Sequence, residues 1–270
     1  VEEVARLMKD LKLNTVCKEA NCPNLGECYK KHTATFMVMG SACTRNCRFC
    51  NVSCAKPQPL DPDEPGHLAE VAKKLALRHV VVTQVTRDDL PDGGAAHMAA
   101  VIRAVHDACP GTTVEVLISD LKGSEEALQT VLDARPEVLN HNVEMVPRLY
   151  RDVRPQARYE RSLKVLSDSK KMAPNILTKT GFMLGLGETD DEVYALMDDI
   201  RATGCDILTI SQYLQPTPQH WALQRYVTPE EFARLKEVAL GKGFKFVASS
   251  PLVRSSYRAA EAFEAAEGRV

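Results

Sequence analysis

Residues 35–50 read TFMVMGSACTRNCRFC: an apolar run ending in glycine, then three cysteines, Cys43, Cys47 and Cys50. The run 35–40 reads as a strand that feeds a cysteine loop, and the downstream sequence repeats the strand theme. HVVVTQV (79–85), TVEVLI (113–118), EVLNHNV (137–143), NILTKTGFMLG (175–185), DILTIS (206–211) and FKFVAS (244–249) are strand-like. Between them, HLAEVAKKLALR (67–78), AAHMAAVIRAVHDA (95–108), SEEALQTVLDA (124–134), TDDEVYALMDDIRATG (189–204) and TPEEFARLKEVALGKG (228–243) carry apolar residues at helical spacing. Thr189 and Thr228 are expected N-caps, with Gly204 and Gly241 at helix ends. Alternating β and α units imply a parallel sheet with helical crossovers. Six such units fit a partial or complete (β/α) barrel, and a doubly wound open sheet is the alternative. Barrels carry their chemistry at the C-terminal ends of strands. Cys43 follows the first strand there, TRDDLPDGG (86–94) the second, and Asn142 and Glu144 the fourth. There is no internal repeat, linker or low-complexity segment.

The 270 residues allow one large α/β domain or two small ones, and 44% hydrophobic with 26% charged residues is ordinary for a globular chain. A net charge of −2 gives no general grip on nucleic acid or membrane. No apolar run approaches the ~20 residues of a membrane span. The start, VEEVARLMKD, reads as neither a signal nor a transit peptide, and the missing initiator Met reads as trimming.

Seven of the nine cysteines lie within residues 17–54. A disulfide knot, a zinc site and an iron–sulfur cluster are the candidates. A disulfide framework suits a small secreted chain with paired cysteines, and this chain is large with an odd count. Zinc would use Cys43, Cys47, Cys50 and Cys54, a crowded set for a tetrahedral site. Three thiolates on one loop would hold three irons of a [4Fe–4S] cube and leave the fourth for a small molecule, with Phe49 as a shield. An upstream set, Cys17, Cys22 and Cys28 in CKEANCPNLGEC, suggests a second cluster with a further ligand from elsewhere.

The CTRNCRFC spacing after a strand resembles the radical S-adenosylmethionine superfamily, and the upstream cysteine set resembles its lipoyl synthase family. RDDLPDGGAAH (87–97), NHNVEMVPRLYRDVRP (140–155), YERSL (159–163), GLGET (185–189), QYLQPT (212–217), RYVTPEEF (225–232) and PLVRSSY (251–257) agree, so the likeness runs from about residue 11 to 260. Some positions depart from the family. The arm before the first cysteine set is short, Cys54 is extra, Asn51 stands in place of an acid, and Ser211 and Ser250 stand where glycines are common.

The resemblance implies a partial (β/α)6 TIM-type barrel over residues 35–249. A cysteine-rich extension over 1–34 precedes it, and a tail over 250–270 caps the barrel mouth. It implies that Cys43, Cys47 and Cys50 hold a [4Fe–4S] cluster whose open iron binds S-adenosylmethionine. A second [4Fe–4S] cluster on Cys17, Cys22, Cys28 and a serine of RSSY, Ser256 ahead of Ser255, would donate sulfur. The implied reaction inserts two sulfurs at carbons 6 and 8 of an octanoyl chain on a lysine of a carrier protein or domain. Asn142, Glu144 and Arg154 are expected on S-adenosylmethionine, and Gly185 and Gly187 against its adenine. Expected partners are the octanoylated carrier, an electron donor such as flavodoxin or ferredoxin, and an iron–sulfur cluster carrier, with no nucleic acid and no membrane. A monomer in the cytoplasm is expected, or in the mitochondrial matrix if the chain is eukaryotic and trimmed.

Other residues carry plainer expectations. Asp88 and Asp89 are expected to shape their loop, and His141 to pack as a hydrogen-bonded core residue. GLGET lacks the lysine of a phosphate loop. Arg254 reads equally as a surface charge or a substrate gate. Cys109 and Cys205 read as buried thiols, and Cys54 as a spare, an adventitious ligand or an oxidation liability.

Overall fold

The computed structural model describes residues 11, 13–15, 22, 24 and 35–268. Cys17 and Cys28 lie outside the described residues, and Cys22 within them is a free, half-buried thiol. The chain forms two compact units, one of residues 1–45 with 51–137 and one of residues 46–50 with 138–270.

In the first unit β1 (Asn14–Thr15) pairs antiparallel with β2 (Thr35–Val38), which runs parallel to β3 (His79–Gln84), itself parallel to β4 (Thr113–Leu117). The register sets Thr35 against Val81 and His79 against Thr113. Parallel neighbours need long crossovers, supplied by α1 (Glu64–Lys74), α2 (Ala95–Ala108) and α3 (Glu125–Leu132). Each helix buries one apolar face, with Leu68, Val71 and Ala72 on α1 and Met98, Ile102 and Val105 on α2. β2 is buried at all four residues and β3 at its four central ones, as expected for strands covered on both faces.

The second unit continues the alternation: β5 (Val138–Asn140), α4 (Tyr150–Val153), α5 (Tyr159–Met172), β6 (Leu177–Leu184), α6 (Asp190–Ala202), β7 (Ile207–Gln212), α7 (Pro229–Gly241), β8 (Phe246–Ser249) and α8 (Ala259–Ala266). β5 to β8 are parallel in sequence order. Their core joins Phe182, Leu184, Leu196, Ile210, Tyr213 and Phe232, and Phe49 packs against it. Thr189 and Thr228 close full capping boxes with Glu192 and Glu231. Gly204 turns left-handed after α6 (φ +84°), whereas Gly241 is the last residue of α7 and Gly243 takes the left-handed turn (φ +93°). β1 was not legible, because two residues carry no periodicity. Among the described residues no helix is long and apolar enough to cross a membrane.

Candidate active site

The cysteine loop is anchored by its own backbone and by Arg45. In the first unit the Cys43 N–H donates to the Ser53 carbonyl (2.8 Å), and the Arg45 N–H donates to Cys43 Sγ (3.4 Å). Arg45 is buried, and its guanidinium takes two carboxylates as forks: Asp88 at 2.7 and 3.0 Å and Asp120 at 3.0 and 2.6 Å. Burial opposes its charge, yet the hydrogen bonds and charges of both acids outweigh burial and raise the guanidinium above its ordinary value. Asp88 thus serves Arg45, while Asp89 pairs with Arg87 at 2.8 Å. Both acids shape the loop. Cys54 is exposed, with Sγ 3.4 Å from the Arg45 carbonyl, and burial and then Cys43 push its thiol up.

Cys47 and Cys50 lie in the second unit. There the Asn46 N–H donates to Gln156 Oε1 (2.7 Å), the Arg48 N–H to the Val153 carbonyl (2.8 Å), and the Cys50 N–H to the Cys47 carbonyl (3.0 Å). No described cysteine is part of a disulfide.

The loop after β5 carries Asn142 and Glu144. The Glu144 N–H donates to the Gly181 carbonyl, and its carbonyl accepts from the Met183 N–H, which fastens the residue to β6 at φ +73°. That torsion is rare for a residue with a side chain and marks a constrained position. Burial pushes the Glu144 carboxyl up from its ordinary value, opposed by Arg154 and a hydrogen bond with Asn142. Arg154, from the end of α4, donates through Nη1 to the Asn142 carbonyl (3.3 Å) and the Tyr150 hydroxyl (3.4 Å). Its Nε is buried with no hydrogen-bond partner among the described residues. Burial opposes the Arg154 charge, but Tyr150, Glu144 and Cys47 outweigh burial and raise it. A half-buried cation with a buried, unused N–H beside Cys47 and Glu144 suits an anionic group.

The glycine loop after β6 is filled from within. The N–H groups of Gly185, Leu186 and Gly187 all donate to the Glu188 carboxylate, at 2.6, 2.9 and 3.1 Å. A Cβ on Gly185 would sit 2.5 Å from both the Arg225 carbonyl and Gln212 Nε2, so only glycine fits there. Gly187 has more room, with Gln224 Cγ at 3.3 Å from such a Cβ.

In the tail, the Ser255 hydroxyl and the Asn142 amide bond each other at 2.8 and 3.2 Å. Ser256 is half-buried and makes no hydrogen bond with any described residue. His141 is buried against Ser162 at 2.9 Å, in keeping with a packed histidine. Cys205 is buried, and desolvation pushes its thiol up to about 12, whereas Cys109 is half-buried.

Sequence reasoning missed three contributors. One is Arg45 as the partner of two acids. Another is Gln212, whose amide binds the Leu184, Tyr213 and Arg225 carbonyls and the Val227 N–H. The third is the His220–Trp221 pair, whose side chain and backbone touch the cysteine loop. The only signals available were a charged residue inside the cysteine motif and polar residues inside QYLQPT. Among the described residues no three His, Cys, Asp or Glu side chains lie close enough to hold a single metal ion. A cubane spreads its thiolates over separate irons and does not need that convergence.

Within the second unit, two thiols on one loop and the buried, underused Nε–H of Arg154 beside Cys47 fit an iron–sulfur centre with an anionic ligand. Residues 37–200 match the model of the radical SAM superfamily, which defines the class. The solved structure of methylornithine synthase superposes with a TM-score of 0.61 at 14% identity, over 82% of this chain and 72% of that one, a likeness of fold. The fold class is the α/β partial barrel of the radical SAM enzymes. Lipoyl synthase from Caldanaerobacter subterraneus subsp. tengcongensis is 57% identical over 97% of this chain and 92% of its own length. Lipoyl synthase from Rubrobacter xylanophilus is 55% identical over 97% and 82%. The chain belongs to the lipoyl synthase family of radical SAM enzymes. Its cofactors are those of the family, S-adenosylmethionine and [4Fe–4S] clusters.

Proposed function

We propose that the chain inserts two sulfur atoms at carbons 6 and 8 of an octanoyl group carried on a lysine of a lipoyl carrier protein or domain. The observation that carries this is 57% identity to a lipoyl synthase over nearly the whole of both chains. When bound, S-adenosylmethionine and the reduced cluster supply a 5′-deoxyadenosyl radical able to take hydrogen from unactivated carbon, and the second cluster supplies sulfur.

The residues then divide the work. Cys43, Cys47 and Cys50 would hold the first cluster, with the Arg45 N–H bonded to the Cys43 sulfur. Arg154 would offer its unused Nε–H to the carboxylate of S-adenosylmethionine. Asn142 and Glu144 bind the polar part of the cofactor. An amide has two donors and two lone pairs, and Ser255 takes one of each. Gly185 and Gly187 keep their loop close to the chain and would hold it against the adenine.

Cys17, Cys22, Cys28 and Ser256 hold the second cluster. The commitment of Ser255 to Asn142 supports Ser256 as the fourth ligand. A serine oxygen is a harder ligand than thiolate and would bind such a cluster more weakly. Flavodoxin or ferredoxin supplies electrons, a cluster carrier rebuilds the spent centre, and the enzyme works as a cytoplasmic monomer.

The test is anaerobic reconstitution followed by reaction with S-adenosylmethionine, reductant and an octanoyl-lysine peptide. The expected result is about eight irons per chain, 5′-deoxyadenosine, and a peptide that has gained two sulfurs by mass spectrometry. Cofactor cleavage with no sulfur on the peptide would overturn the substrate assignment.

A further inference from the structure

The cluster loop and the glycine loop belong to different parts of the sequence, yet one side chain reaches both. Trp221 is the only tryptophan of the chain. Its backbone N–H donates to the Arg48 carbonyl at 2.7 Å, and the Arg48 guanidinium lies 5.0 Å from the ring centroid. Its indole N–H donates to the Leu186 carbonyl at 2.9 Å, inside the glycine loop. Its own carbonyl accepts from the Tyr213 hydroxyl at 2.7 Å. The neighbouring His220 places Nε2 at 3.1 Å from the Cys50 carbonyl, with Nδ1 at 2.8 Å from Thr217 Oγ1.

The three successive carbonyls of the glycine loop are each tied down from elsewhere. Gly185 accepts from the Gln224 N–H, Leu186 from the Trp221 indole, and Gly187 from the Arg148 guanidinium. Of these three, only the Leu186 tie leads to the residues between Cys47 and Cys50.

We infer that Trp221 is a positioning residue that couples the cluster loop, residues 46–50, to the glycine loop, residues 185–188. This rests on the proposed reading that Cys47 and Cys50 hold the cluster and that the glycine loop borders its S-adenosylmethionine. A rotation of the Cys47–Cys50 loop is transmitted through the Arg48–Trp221 stack to the Leu186 carbonyl. Cluster and cofactor are thereby held in one frame, with His220 fixing the Cys50 end. The role of Trp221 is exerted through the two loops.

The test uses the full, cluster-loaded chain. S-Adenosylmethionine affinity is measured by equilibrium dialysis without reductant for the parent, Trp221→Phe, Arg48→Gln and the double variant. Iron and thermal midpoint are followed on every sample. Phenylalanine keeps a ring over Arg48 and loses the indole N–H. Affinity is expected to fall about three- to tenfold, the worth of one hydrogen bond, with iron retained. In turnover, KM for S-adenosylmethionine rises by a similar factor while kcat changes less, and the cofactor-induced change in the reduced cluster's electron paramagnetic resonance spectrum shrinks.

The Arg48 side chain bonds the Asp152 carbonyl and the Trp221 ring and, among the described residues, nothing in the glycine loop. Arg48→Gln is nevertheless expected to weaken binding, and to do so by less than half as much in the Trp221→Phe background. Affinity within twofold of the parent for Trp221→Phe, or full additivity in the double variant, overturns the coupling. If Trp221→Phe loses iron, the Arg48→Gln affinity decides alone, and an unchanged value overturns the inference. A parent that holds no cluster or binds no S-adenosylmethionine overturns the underlying reading instead.

Discussion

A guanidinium as deeply buried as that of Arg45 survives only where its charge is met, and two carboxylates meet it. Asp120 is 1% exposed, so its partner has no water to fall back on if the acid is removed. Breaking a buried pair from one side typically costs about 3–5 kcal/mol, because an uncompensated charge remains. Asp120→Ala is therefore expected to lower stability by about that much in chemical denaturation. Asp88→Ala should cost less, since Asp88 keeps 29% of its side-chain surface and solvent can take its place. Glu144 is a second constrained residue, with its backbone at φ +73° and its carboxyl beside Arg154. If it binds the cofactor, Glu144→Ala should reduce 5′-deoxyadenosine formation by at least about tenfold, the order expected for a lost charge-assisted bond. A full rate of cofactor cleavage in that variant would remove Glu144 from the site.

At the scale of elements, helix starts carry measurable weight. Glu192 closes the capping box of α6 and also takes the Arg148 guanidinium, at 2.7 and 3.0 Å. The Arg148 hydrogen bond, ahead of the cap contacts, holds the Glu192 carboxyl down to about 2. The unfolded carboxyl titrates near about 4.3. Its contribution is thus fully present above that value and is lost as pH falls toward 2. Solvent screens a pair with an exposed arginine, so Glu192→Gln is expected to cost about 1 kcal/mol at neutral pH. It should also flatten the stability profile between about pH 5 and 2, seen as converging urea midpoints of parent and variant.

These caps were legible in the sequence because Thr-x-x-Glu before an apolar run is a local pattern. The strands downstream of residue 35 and five of the eight helices there were legible for the same reason, being periods of two and of three to four within ten residues, whereas α4, α5 and α8 were not read as helices. What escaped was non-local. Arg45 meets Asp120 across 75 positions and Asn142 meets Ser255 across 113, and no window of sequence shows such pairs. The cysteine spacing was legible as chemistry. The use of the Glu188 carboxylate by three N–H groups of its own loop was not, because a glycine-rich turn reads the same whether its amides face a ligand or a neighbour.

For the molecule as a whole, the proposed reaction needs two centres with separate duties, and adjacent serines in the tail offer a way to separate them. Ser255 is engaged with Asn142 on the loop after β5, whereas Ser256 has no hydrogen-bond partner among the described residues. If Ser256 is the oxygen ligand of the sulfur-donating cluster, Ser256→Ala leaves Cys43, Cys47 and Cys50 untouched. The variant should still form 5′-deoxyadenosine, while sulfur gained by the octanoyl peptide falls at least about tenfold, since an altered donor loses a ligand rather than a packing contact. Ser255→Ala should behave in the opposite way. It frees the Asn142 amide, alters S-adenosylmethionine affinity a few-fold, and preserves the ratio of sulfur inserted to cofactor cleaved. Mass spectrometry of the peptide and chromatography of the nucleoside on one reaction mixture give that ratio directly. Equal ratios in both variants would mean that neither serine discriminates between the two centres. A drop confined to Ser255→Ala would transfer the ligand role to it and leave Asn142 held by some other contact.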